Sequence, residues 1–126
     1  MNKWLLLLLM PLLTACASQV PITAGDPADS VAGTLTVAWL EPNAMEVVVD
    51  GKRYVGDWSS TICSTDECRG VYRNVLRIHR RHIRKGHAVL VAADGSRIEC
   101  EWVSHLPALE GSCKTQDGRV FRLKAA

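Results

Sequence analysis

VVVDGKRYVGDW (residues 47–58) and VAADGSRIECEW (residues 91–102) can be laid over one another without a gap. Both contain Asp-Gly-x-Arg, and both close on a tryptophan, Trp58 or Trp102. Asp-Gly between two apolar runs is a strong hairpin signal, because both central residues of a type I′ turn need positive φ. A third copy, TQDGRVFRL (residues 115–123), lacks the Trp. Upstream, Leu35, Val37 and Trp39 alternate with Thr34, Thr36 and Ala38, the period of a half-buried strand. Three such hairpins predict about six strands in an antiparallel meander that can curl into a half-barrel. Trp39, Trp58 and Trp102 fall at strand positions and are expected in the core.

Between the first two copies lies RGVYRNVLRIHRRHIRKGH (residues 69–87), with seven of the chain's fifteen Lys and Arg, three His and no acid. The whole chain carries a net charge of only +2. At ~100° per residue, Arg69, Arg73, Arg77, Arg80 and Arg84 fall within ~80° of one another, opposite Val71, Val75, Ile78 and His82. A strand would scatter these charges over both faces. Ser64-Thr65-Asp66-Glu67 forms a capping box, and Gly86 suits the residue that follows a helix end. The spacing predicts an amphipathic helix from about Thr65 to Lys85. The expected fold class is therefore α+β: mainly antiparallel β with one inserted helix.

The chain has five cysteines. With Ser64 as N-cap, Cys63 and Cys68 occupy the two positions that touch in a hydrophobic staple, which predicts a Cys63–Cys68 disulfide. Cys100 and Cys113 become cross-strand neighbours if the strands after Asp94-Gly95 and before Asp117-Gly118 pair around Pro107. Neither bridge would close a long loop. Two disulfides in a small domain fit an oxidising compartment.

The N-terminus, MNKWLLLLLMPLLTAC, has one Lys and then an apolar run of ten residues, Trp4 to Leu13. That run is too short for the ~20 residues of a spanning helix and fits a secretory signal. Leu13-Thr14-Ala15-Cys16 resembles the lipobox of bacterial lipoproteins. The resemblance implies removal of residues 1–15, a diacylglycerol on the Cys16 sulfur and an acyl chain such as palmitate on its amine. Ala17 in place of Asp implies sorting to the outer membrane, facing the periplasm. Residues 16–33, rich in Ala, Ser, Pro, Gly and Asp, read as a lipidated flexible tether. Residues 34–126 then form the folded domain.

From Trp39 onward the chain also resembles a group of small bacterial lipoproteins. The matching features are Asp50, Gly51, Tyr54, Gly56 and Trp58; Gly86, Ala88, Leu90, Asp94, Gly95 and Cys100; and Gly111, Cys113, Asp117, Gly118, Phe121 and Leu123. These are turn glycines, core residues and a cysteine pair. The resemblance implies a fold and no activity.

The residues offer little catalytic chemistry. His79 and His82 could share a metal on the proposed helix, with His87 near and His105 distant, but Arg80, Arg81 and Arg84 would repel a cation, and no metal or other cofactor is expected. No acidic cluster, Gly-x-Ser-x-Gly elbow or phosphate loop accompanies the basic stretch, and no enzyme is expected. The expected partners are the membrane, through the acyl chains, and an anionic envelope polymer or lipid. The contact would be Arg69, Arg73, Arg77, Arg80, Arg81 and Arg84, since Arg forks suit phosphate and carboxylate. Nucleic acid is excluded by compartment. The alternative is a periplasmic inhibitor or assembly factor whose Ser104–Glu110 loop would plug a partner protein's cleft.

Overall fold

The computed structural model describes residues 17–38, 43–63, 68 and 83–125. They form eight antiparallel strands in sequence order, closed into a barrel. The strands are β1 (Ala17–Ala24), β2 (Val31–Ala38), β3 (Ala44–Val49), β4 (Lys52–Ile62), β5 (Arg84–Ala92), β6 (Arg97–His105), β7 (Ala108–Thr115) and β8 (Val120–Ala125). The expected α+β fold with a six-strand meander is therefore corrected to an all-β closed barrel; the elements formed by the described residues are all strands, and only the isolated residue Cys68 has helical backbone.

The three Asp-Gly hairpins are present as β3–β4, β5–β6 and β7–β8. Their turns are not identical. At Asp50-Gly51 both residues have positive φ, 51° and 81°, and Val49 pairs directly with Lys52. At Gly95 and Gly118 only the glycine is left-handed, with φ of 86° and 92°. There the Ala92 and Thr115 amides donate to the Ser96 and Arg119 carbonyls, so each loop is one residue longer. The extra residue shifts the upstream arm by one position while the downstream arm keeps its face. Tyr54 and Ile98 thus both point inward, as do Trp58 and Trp102, whereas Val49 finds its counterpart in Ala92 rather than Ala93.

Two further strands close the barrel. Residues 17–24, expected within a flexible tether, are β1, and residues 31–33, also assigned to the tether, open β2. Val20, Ile22 and Ala24 alternate with Gln19, Pro21 and Thr23 and pack into the core. GDPADS, residues 25–30, is their connecting loop. β1 pairs with β2 from Ala17 through Thr23, but with β8 only at Thr23 and Ala24. Pro21, which lacks an amide proton, falls where no β8 partner is in register, the place a sheet tolerates proline.

The interior is filled by apolar side chains, among them Ile22, Leu35, Met45, Val47, Leu90, Ile98, Leu109, Phe121 and Leu123. Eight strands give a barrel just wide enough for side chains to fill. The outer wall carries Arg53, Asp57, Glu99, Glu101, Lys114, Arg122 and Lys124. This is the reverse of a membrane-spanning barrel, which faces lipid with apolar residues. β3 and β8, at six residues each, are also shorter than the ~9–11 residues a spanning strand needs.

The predicted helix meets a direct conflict at its C-terminal end. Arg84 and Lys85 open β5, paired to Ile62 and Thr61 on one side and to Ser104 and Val103 on the other. The period-two pattern of Gly86, Ala88, Leu90 and Ala92 starts here, and ladder partners on both sides hold it extended. Gly86 is a mid-strand residue opposite Trp102, not a helix terminator. Residues 64–67, with the capping box, and 69–82 lie outside the described residues.

Candidate functional site

A closed meander has two ends, and the register fixes what each carries. One holds the 25–30 loop and the three Asp-Gly turns; we call it the turn end. The other, the terminal end, holds the start of β1, the end of β2, both ends of the β4–β5 connection, the Leu106–Pro107 turn and the end of β8. Ala17 pairs with Ala38, Ile62 with Arg84, Arg84 with Ser104, Ser104 with Leu109, and Leu109 with Ala125.

Charges at the turn end are committed to one another. Arg119 reaches across to Asp50 (Nη1 to Oδ2, 2.7 Å) and approaches Asp29 at 3.8 Å. Lys52 pairs with Asp94 and donates to Ser96 Oγ at 2.6 Å. The Lys52 ammonium, seconded by hydrogen bonds from Ser96, holds the Asp94 carboxyl well below the usual carboxylate range. The Thr115 hydroxyl lowers the Asp117 carboxyl, and Asp50 raises Arg119. These groups are exposed, so each pair adds little to stability. Together they lash three turns over one mouth of the barrel.

At the terminal end the β4–β5 connection begins with the disulfide Cys63–Cys68. Cys63, Cys68 and Ile83 are buried together against Val103 on the outer wall, and the Cys63 amide donates to the Ile83 carbonyl at 3.1 Å. The second bridge, Cys100–Cys113, joins directly opposed residues of β6 and β7 inside the barrel. Both pairs are those the spacing predicts, separated by 5 and 13 residues.

Of the six arginines expected to form one face, Arg69, Arg73, Arg77, Arg80 and Arg81 lie outside the described residues. Arg84 is described and is engaged: its Nε donates to Ser60 Oγ at 2.7 Å and its Nη2 to the Ser60 carbonyl at 2.9 Å. It ties β5 to β4 rather than standing on a helix face. Lys85, beside it, is exposed on the outer wall. Cys16 precedes the described residues and adjoins Ala17, the first residue of β1. Ser104–Glu110, expected as a protruding loop, is strand, a two-residue turn at Leu106–Pro107, and strand again, with Ser104 and Leu109 buried.

His79 and His82 are also outside the described residues. His87 sits on the outer wall of β5, its Nε2 2.9 Å from Glu99 Oε1, with Glu101 beside them. Sequence reasoning grouped His87 with the other histidines; counting residues outward from the Asp94-Gly95 turn brings it opposite Glu101 instead. Trp58 and Trp102 meet edge to face in the interior, centroids 5.9 Å apart, and Trp58 Nε1 donates to the Thr36 carbonyl at 3.0 Å. Trp39 lies outside the described residues. Comparison with protein-family models, with curated proteins and with solved structures finds no match to this chain.

Proposed function

We propose that the protein is an outer-membrane lipoprotein acylated on Cys16, facing the periplasm, and that it acts as a non-enzymatic envelope protein. In this reading the basic β4–β5 connection holds an anionic envelope component. The observation that carries the reading is positional. Ala17, next to Cys16, lies on the same barrel end as Ile62 and Arg84, where that connection leaves and rejoins the wall. Seven Lys and Arg between residues 69 and 85, with no acid, are thereby tied at both ends to the lipid-proximal end of the barrel. Basic side chains near an anionic surface contribute ~1 kcal/mol each, and that attraction fades beyond a Debye length of ~10 Å. With the anchor and both ends of the connection on one barrel end, its cations start from the lipid-proximal side of the barrel. The proposal rests on charge and position and needs no helix.

The test uses the full mature chain, residues 16–126, with Cys16→Ser so that attachment reports the barrel and not the lipid. It is sedimented with outer-membrane fragments and with peptidoglycan across a salt series, beside the same chain carrying Arg73→Glu, Arg77→Glu and Arg80→Glu. The expected result is attachment of the parent that salt releases, and at least tenfold weaker attachment of the triple variant, given ~1 kcal/mol for each charge. Equal attachment of both, or of neither, contradicts the proposal.

A further inference from the structure

The terminal end presents more than the basic connection. Ile62 is 65% exposed and Leu106 40% exposed, and both lie on this end. Ile62 has the inward parity of Tyr54 and Trp58, but it stands past the filled part of the barrel. Leu106 tips the β6–β7 turn. Single exposed apolar residues are ordinary on a protein surface; these two share an end with exposed Lys85. The turn end has the opposite character. Its Lys52 and Arg119 are bound to Asp94, Asp50 and Asp29, and Asp26 and Asp117 outnumber exposed Arg97, so this end keeps an excess of acids even though Val120 is exposed there.

Reach decides what the terminal end meets. Between Cys16 and the first strand residue there is a single peptide link, which spans at most ~3.8 Å. An acylated Cys16 leaves the barrel no tether on which to stand away from the lipid.

Resting on the lipid-anchored reading above, we propose that the terminal end docks on the anionic phospholipid surface of the bilayer that holds the anchor. Ile62 and Leu106 enter the headgroup layer, and Lys85 lies at its edge, its stem along the wall and its ammonium among the phosphates. The barrel then stands upright, and the three Asp-Gly turns face away from the membrane. An anionic surface attracts the terminal end and repels the acidic turn end, so the charge distribution selects the same orientation as the anchor.

The experiment places the full mature lipidated chain in vesicles of phosphatidylglycerol and phosphatidylcholine, with plain or brominated acyl chains. Tryptophan is introduced singly as Leu106→Trp, Ile62→Trp and Val120→Trp. Val120 is 58% exposed and opens β8 at the turn end. After subtraction of the parent signal, bromine should quench the tryptophan at 106 and at 62 about twofold, a depth expected of side chains seated at the headgroup boundary. The tryptophan at 120 should keep its emission. Vesicle-bound protein in which neither rim tryptophan is quenched, or in which the one at 120 is quenched equally, overturns the docking and leaves the anchor standing. Protein that fails to float with the vesicles overturns the anchor itself, and the docking with it.

Discussion

Trp102 shows how much one side chain can demand of its neighbours. It is buried in the barrel, and its register partners on both sides are glycines, Gly86 on β5 and Gly111 on β7. A Cβ added at Gly86 would overlap the indole ring, and one at Gly111 would meet the Trp102 Cβ at 2.5 Å. Gly86→Ala is therefore expected to destabilise the barrel by ~1–3 kcal/mol, the usual cost of overpacking a filled core. Denaturant unfolding followed by tryptophan emission measures the loss, and an unchanged midpoint would show that the indole has room to move. Asp94 makes the second residue-scale prediction. Its carboxyl is held low by Lys52 and Ser96, so its folded value lies below its unfolded one. Such a group contributes stability above the unfolded value, near pH ~4, and loses it as pH falls through the folded value. The melting temperature of the parent should exceed that of Asp94→Asn by a small constant margin above pH ~5, and the margin should shrink as pH falls below ~4. A margin that grows with acid would contradict the pairing with Lys52.

At the scale of elements, the hairpins were legible because Asp-Gly states a turn in two letters. The placement of Trp58 and Trp102 and both cysteine pairings followed from the same local grammar. Two things were not legible. β1 was hidden by composition: Ala, Ser, Pro and Thr around Val20 and Ile22 read as a linker, although the alternation is there in QVPITA. Nothing within seven residues reveals that β8, a hundred residues away, supplies the closing partner. The C-terminal end of the expected helix failed for a related reason. Arginines spaced by three and four satisfy a helical wheel, and a single Gly after Lys85 looks like a stop. Only the indole across the sheet shows why glycine stands there. Of the candidate site, the Leu13–Cys16 motif and the basic stretch could be read in the sequence, but that Ala17, Ile62 and Arg84 share one barrel end could not. That follows from strand parity, since an even number of crossings returns the chain to the end it started from.

For the whole molecule, closure has consequences for construction and orientation. A chain cut at residue 34, where the period-two pattern is first plain, would lose all of β1 and the inward-facing Val31 of β2. It would leave the β3-facing sheet without the strand that joins it to β8. Functional work on the domain therefore has to begin at residue 16 or 17. The barrel also has a filled core and a wall that is mostly charged and polar, with Val55, Val89 and Val91 exposed on β4 and β5. The turn end holds its Lys52 and Arg119 in ion pairs and keeps an excess of acids, and the terminal end carries exposed Ile62 and Leu106 and both ends of the basic connection.

Residues 17–24 form a strand that begins one residue after Cys16, and the shared end of Ala17 and the basic connection depends on it. Amide hydrogen exchange of the full mature chain, read on proteolytic peptides covering 17–24 and 31–38, tests this most directly. The structure predicts slowly exchanging amides in both peptides, since β1 pairs with β2 from Ala17 through Thr23. Complete exchange of 17–24 within seconds, with 31–38 still protected, would return those residues to a free tether. It would also remove the argument that places the lipid and the basic connection on one end.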